Sequence, residues 1–100
     1  MDNQIKISVV ICTYNRAAYI ESALNSLIVQ SIPKNSFEVI VVNNNSTDNT
    51  EVICKAFIAK HHDYQLYFLN ERQQGASFAR NTGASFAKGD LLCFMDDDAI

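Results

Sequence analysis

The sequence predicts an α/β fold, a Rossmann-like three-layer half-domain whose four-stranded, mainly parallel sheet carries helices on both faces. Two observations predict it. Four short, nearly continuous apolar runs alternate with three segments of helical period, and strands buried on both faces and joined by helices form a parallel sheet with right-handed crossovers. The chain is also 100 residues long and 48% apolar, enough for one domain with a core buried over roughly two-thirds of its unfolded surface.

The first run, Ile5 to Cys12, begins alternating and ends continuous, as in a central strand whose far half is covered on both sides. Thr13-Tyr14-Asn15-Arg16 interrupts it. Ile20, Ala23, Leu24, Leu27 and Ile28 then recur at i, i+3, i+4, i+7 and i+8, which predicts a helix stopping near Gln30 ahead of Pro33. Phe37 to Val42 is the second strand, and Asn43-Asn44-Asn45-Ser46-Thr47-Asp48 a turn rich in side chains that bond their own backbone. Asp48 and Glu51 have the spacing of a capping box, opening a helix that runs on Val52, Ile53, Ala56 and Phe57 to about His61. His61 and His62, adjacent and so on different helix faces, read as a solvated helix end.

Gln65 to Leu69 is the third strand, followed by a polar loop over residues 70–75 and a helix of small residues from Ala76 or Ser77 to Ala87. Gly83 inside that helix costs about 1 kcal/mol relative to Ala, and predicts close approach to a neighbouring backbone. Lys88-Gly89 closes the helix. Leu91 to Met95 is the fourth strand, and it runs directly into Asp96, Asp97 and Asp98.

Several functional classes are excluded. The 8 basic residues are scattered and the net charge is −3, which argues against a nucleic-acid face. No apolar run approaches the ~18 residues of a membrane span, and the first residues lack a signal-like pattern, so the expected location is cytoplasmic. Cys12, Cys54 and Cys93 lie singly in apolar segments and read as small buried hydrophobes.

In the strand order common for this unit, 3-2-1-4, strands one and four are neighbours and the topological switch lies between them. Thr13-Tyr14-Asn15 and Asp96-Asp97-Asp98 then face one crevice, bordered by the Asn43-Asn44-Asn45 turn. Each like-charge carboxylate pair there repels by roughly 4 kcal/mol at ~4 Å and an effective dielectric near 20, a cost met by solvation, raised pKa values or a cation. The turn after the first strand has no G-x-G-x-x-G, and no P-loop is present, which excludes a dinucleotide oxidoreductase and a P-loop NTPase. Hard carboxylates suit Mg²⁺ or Mn²⁺ together with substrate phosphates, so a nucleoside diphosphate is the expected ligand.

Val9-Val10-Ile11-Cys12-Thr13-Tyr14-Asn15-Arg16, Val41-Val42-Asn43-Asn44-Asn45-Ser46-Thr47-Asp48, Gly75 with Ala79-Arg80-Asn81-Thr82-Gly83, and Lys88-Gly89-Asp90 with Phe94-Met95-Asp96-Asp97-Asp98 together resemble family 2 glycosyltransferases of the A-type fold. The four motifs occur in the family's order and cover essentially the whole chain. The resemblance implies a nucleotide-sugar donor, inversion at the anomeric carbon, and Mn²⁺ or Mg²⁺. It implies Thr13, Tyr14 and Asn15 beside the nucleoside, Asn44 on the base, and Asp96, Asp97 and Asp98 as the Asp-x-Asp motif. Asp98 is then the metal ligand, with Asp96 beside it on the metal, and Asp96 and Asp97 towards ribose and phosphates. Arg80 either meets the diphosphate or is a surface charge; Tyr14 either stacks on the base or walls the pocket.

Two departures from the family pattern stand out. Many members carry Asp-Asp-Gly-Ser where this chain has Asn43-Asn44-Asn45-Ser46, and an amide lacks the charge-assisted hydrogen bond a carboxylate offers a pyrimidine imide. Such enzymes also continue into an acceptor-binding half that carries the catalytic base, whereas Ile100 follows the motif by two residues. The expectation is therefore the donor-binding half of an inverting transferase, residues 1–100, cut short after Asp-x-Asp. No catalytic residue is expected in this chain, the base lying beyond Ile100. The acceptor would be a glycan or a lipid-linked sugar, with a peripheral place on the inner membrane face open to the full-length protein. Uncovered apolar surface would favour self-association. The competing class is a non-catalytic nucleotide-binding or protein-interaction module.

Overall fold

The computed structural model describes residues 5–30 and 32–97. Its elements are β1 (Ile7–Thr13), α1 (Ala17–Ile28), β2 (Phe37–Asn43), α2 (Thr50–Lys60), β3 (Gln65–Asn70), α3 (Ala76–Phe86) and β4 (Leu91–Asp96). The sheet order is β3-β2-β1-β4, parallel throughout. Sequence and structure agree on type, number and order of elements, with boundaries moved by no more than three residues.

The two faces of the sheet are covered differently. Val9 and Ile11 of β1 and Phe37, Val39 and Val41 of β2 pack against Ile20 and Leu24 of α1 and Cys54 and Phe57 of α2. On the other face Val10, Ile40 and Val42 meet Ala79 of α3, with Tyr67 and Phe86 beside them. Every residue of β2 is buried, which is why its sequence is apolar apart from Glu38 and the terminal Asn43. β4 is an edge strand, and Leu91, Leu92 and Phe94 are 56, 38 and 48% exposed.

The register is what carries the functional end. Thr13 pairs with Asn43, and Cys12 with Asp96, so the carboxyl ends of β2, β1 and β4 lie at one level. α3 lies close on the sheet because Gly83 has no side chain: a Cβ there would overlap Val10 and stand 3.1 Å from Val42 Cγ2. The close approach expected at Gly83 is therefore to two valine side chains rather than to backbone.

Three local readings are corrected. The β2–α2 turn is not a capping box, because Glu51 bonds Lys55 at 2.8 Å one turn along the helix instead of reaching back. His61 is not simply solvated; its ring stacks on Phe57 at 4.2 Å between centroids. Of the cysteines only Cys54 is fully buried, its thiol pushed up to about 12 by desolvation. No helix among the described residues is long and apolar enough to cross a membrane.

Gly83→Ala tests the close contact. Helix propensity would gain ~1 kcal/mol, but overpacking against Val10, fully buried and stiff at χ1, costs about 1–3 kcal/mol. Chemical denaturation should therefore give a net loss of stability on the order of 1 kcal/mol; a more stable variant would mean that α3 does not press on β1 as described.

Candidate functional site

Three loops at the carboxyl ends of the strands are tied into one wall, mostly by amides. Asn15, held in left-handed backbone at φ 51°, accepts a bond from Thr47 N at 2.8 Å through Oδ1, while its own backbone N–H donates to Ser46 Oγ at 2.9 Å. The loop after β1 is thereby stitched to the loop after β2. Asp48 strengthens the seam: Oδ2 accepts from Ala17 N at 3.2 Å and Oδ1 from Thr50 N at 3.0 Å. Those are the first residues of α1 and α2. One carboxylate thus serves the N-termini of two helices whose own cap residues, Arg16 and Asn49, make no side-chain cap bond. The Thr50 hydroxyl, then the Thr50 and Ala17 amides, hold the Asp48 carboxyl below its ordinary pKa.

Asn44 ties in the third loop. It is 6% exposed, and Nδ2 donates to Glu71 O at 3.1 Å and Gln73 O at 2.7 Å. Its Oδ1 accepts from Gly75 N at 3.0 Å. Both amide protons and one lone pair are therefore used within the chain. Asn44 borders the cleft as expected, but it holds up the cleft's wall and offers a ligand only the remaining lone pair of Oδ1. Glu71 braces the same loop, accepting from Thr82 Oγ1 and from Gln73 N at 3.0 Å, and these bonds keep its carboxyl below the usual range.

The resulting cleft, of about 340 Å³, is lined by Thr13, Tyr14, Arg16, Asn44, Gly75 and Asp97 among others. An adjoining hollow of about 250 Å³ holds Arg80 and Asp96. Cys12 and Ala76 line both. Of the residues expected at the site, Thr13, Tyr14, Asn44 and Asp97 share the cleft and Arg80 and Asp96 the hollow beside it. Asn15 lines neither and works on the loops. Asp98 lies outside the described residues, and with it the expected metal-ligand pair of Asp96 and Asp98. Among the described residues no three acidic, histidine or cysteine side chains gather into a metal site.

The cleft's polar groups differ in how far they face solvent. Thr13 is 2% exposed, and its Oγ1 has no hydrogen-bond partner among the described residues. Tyr14 stands half exposed at the rim. Arg16 Nε lies 3.7 Å from Asp97 Oδ1, a loose pair on the solvent side that contributes little to stability. Burial raises the Cys12 thiol pKa, with Arg80 opposing and Asp97 adding to the rise, so the floor between the two hollows feels both charges. The donor set of carboxylates and a hydroxyl is hard oxygen throughout, which fits Mg²⁺ or Mn²⁺ completed by phosphate oxygens. Sequence reading missed Arg16, Gln74, Gly75 and Ala76 as lining residues. Gly75, at φ 135°, was the signal, since only glycine is at ease there.

A family model for glycosyl transferase family 2 matches residues 8–100. The chain belongs to this family. Glycosyltransferase AglE of Haloferax volcanii is 38% identical over 92 residues, 92% of this chain and 30% of the relative. The Staphylococcus aureus poly(ribitol-phosphate) β-N-acetylglucosaminyltransferase TarS is 37% identical over 94% of this chain and 16% of its own. Among solved structures, the mannosyltransferase PcManGT of Pyrobaculum calidifontis in complex with GDP-Man and Mn²⁺ superposes with a TM-score of 0.92 at 32% identity. The match covers 97% of this chain and 28% of that one. Residues 1–349 of Staphylococcus aureus TarS with UDP-GlcNAc give 0.82 at 36% identity, covering 94% of this chain and 27% of that one. This family 2 chain thus spans less than a third of the length of these relatives.

The seam at Asp48 makes a pH-dependent prediction. A carboxyl whose folded pKa is depressed contributes stability above its unfolded pKa, near 3.9, and loses it as pH falls through the folded value. Asp48→Asn should therefore lower the urea midpoint most at neutral pH, the gap to wild type closing as pH falls below about 4. A gap independent of pH would mean that the charge of Asp48 plays no part.

Proposed function

We propose that this family 2 chain forms the donor-binding half of an inverting glycosyltransferase, holding a nucleoside-diphosphate sugar and a divalent metal ion. The observation that carries the reading is the meeting of three loops at one cleft: the buried, unpartnered Thr13 hydroxyl, half-exposed Tyr14 and the Arg16–Asp97 pair stand together over the end of β1. The bound states of similar proteins support it, one with GDP-Man and Mn²⁺ and one with UDP-GlcNAc.

The nucleoside lies against Tyr14 and the Gly75 wall, within reach of Thr13 Oγ1. Because most of the Asn44 amide is committed to the loop, base selection falls to shape and to backbone groups along residues 73–76 more than to Asn44. Arg16 and Arg80 flank the diphosphate from two sides and offset its charge. Asp96 and Asp98 hold Mn²⁺ or Mg²⁺ and Asp97 orients Arg16. When bound, the metal stabilises the diphosphate as it leaves the anomeric carbon. The residues assigned here act on the donor, and the general base and the acceptor site lie outside that assignment. The acceptor in the full-length enzyme is a glycan or a lipid-linked sugar, met at the inner membrane face.

Calorimetry with UDP, GDP, CDP and ADP, with and without Mn²⁺, tests the reading. Binding of one of them should strengthen with Mn²⁺, and Asp98→Asn should remove that gain, a loss of about tenfold or more in affinity. Binding indifferent both to the metal and to the substitution would sink the site assignment.

Thr13→Val separates ligand binding from packing. It removes an unpartnered buried hydroxyl at nearly constant volume, so the free chain should be as stable as wild type or up to about 1 kcal/mol more so. Affinity for the same diphosphate should fall about fivefold, roughly 1 kcal/mol. A variant that binds as wild type does would remove Thr13 from the site.

A further inference from the structure

β4 brings Asp96 to the hollow and leads into Asp97 at the cleft, yet it is the strand whose position is least specified by packing. Among the described residues it pairs only with β1, and its sequence Leu91-Leu92-Cys93-Phe94-Met95 is apolar at every position. In a strand a slip of one residue exchanges the two faces, and register is specified by a difference between those faces. Here Leu91, Cys93 and Met95 would change places with Leu92 and Phe94 at small hydrophobic cost.

Something at the other end of the strand does specify it. Glu38 of β2 is fully buried, which is expensive for a carboxyl group unless it is hydrogen-bonded. Its Oε2 accepts from Ser8 Oγ at 2.7 Å and from Lys88 N at 2.7 Å, while Oε1 has no partner among the described residues. Ser8 Oγ in turn accepts from Gly89 N at 2.7 Å. Gly89 is pressed so closely to β1 that a Cβ would lie 2.8 Å from the backbone of Ile7 and Ser8. Leu91 N then donates to Lys6 O at 2.9 Å. Residues 88, 89 and 91 are thus tied one after another to the two central strands as the chain enters β4.

We propose that Glu38 and Ser8 form a clamp that sets the register of β4 on β1, and thereby the height at which Asp96 and Asp97 reach the cleft. Glu38 is a positioning residue acting through the Lys88-Gly89 turn, seven to nine residues before the carboxylates. The consequence for ligand binding rests on the donor-site reading above; the clamp itself does not.

Amide hydrogen exchange on the whole chain tests it. In Ser8→Ala, which deletes the acceptor of Gly89 N and one donor to Glu38, β4 amides should exchange about tenfold faster while those of β2 and β3 keep wild-type rates. Glu38→Leu should do the same more strongly, and Glu38→Gln, whose one oxygen can accept both bonds, should stay near wild type. If Glu38→Leu fails to fold, Ser8→Ala decides. Unchanged β4 exchange in Ser8→Ala, or equal acceleration in all four strands, overturns the clamp. A second measurement follows the function: Ser8→Ala should reduce several-fold the gain in UDP or GDP affinity on adding Mn²⁺, leaving metal-free affinity unchanged. An unaltered gain alongside fast β4 exchange overturns the link from clamp to carboxylates. If the wild-type chain binds neither nucleotide, the donor reading fails, while the exchange pattern still decides the clamp.

Discussion

The pairing of β1 on both of its edges is the constraint from which the rest of the molecule follows. β1 is in parallel register with β2 on one side and β4 on the other, and Val10 and Ile11 at its centre are fully buried. Parallel pairing places like ends together, so the loops leaving β1 and β2 and the acidic tip of β4 emerge on one side. A strand buried on both faces cannot slide without moving both core clusters at once. The cleft therefore inherits its rigidity from the strand rather than from its own loops, which are polar and largely exposed.

Above that strand, the loops are joined by neutral amides where related sequences use carboxylates, and the structure gives a reason. Asn44 Nδ2 donates to two backbone carbonyls, Glu71 O and Gln73 O. A carboxylate has no proton to give and would set negative oxygens against those carbonyls. Asn43 plays a similar double part, donating to Asn70 Oδ1 at 3.1 Å and accepting from Ser46 N at 3.1 Å. The asparagine turn is thus matched to the path of residues 71–75. An aspartate at position 44 would require that loop to run differently, so the wall of the cleft and the residue at position 44 go together.

What could be read in advance follows from where the chemistry lies along the chain. Strand and helix content was legible because each element carries its period within itself, from Phe37–Val42 to Ile20–Ile28, and the strand order is the one common for such a unit. The level meeting of Thr13, Asn43 and Asp96 followed from the order. Partners in hydrogen bonds were not legible. Nothing in local spacing indicates that Asp48 serves Ala17, 31 residues earlier, or that Asn44 is occupied by the loop that follows β3. Arg16 was visible in its motif but carried no sign of facing Asp97. Glu38 was passed over for the same reason, as one charged letter in an apolar strand, although a lone carboxylate in a strand buried on both faces is itself a signal that a buried partner exists.

The two ends of β4 thus answer to different physics. At its carboxyl end Asp96 is exposed, the Arg16–Asp97 pair is loose at 3.7 Å, and like charges adjoin, so electrostatics there favours a bound cation. At its amino end the bonds are short and buried or part-buried, and two of them are made to the buried Glu38 carboxyl group, where the loss of a hydrogen bond is costly. A strand held firmly at one end and weakly at the other keeps its register while its tip stays adjustable. That division suits a metal-binding carboxylate set, which needs the right height in the cleft before any ligand arrives but must close around phosphate oxygens that the protein does not supply.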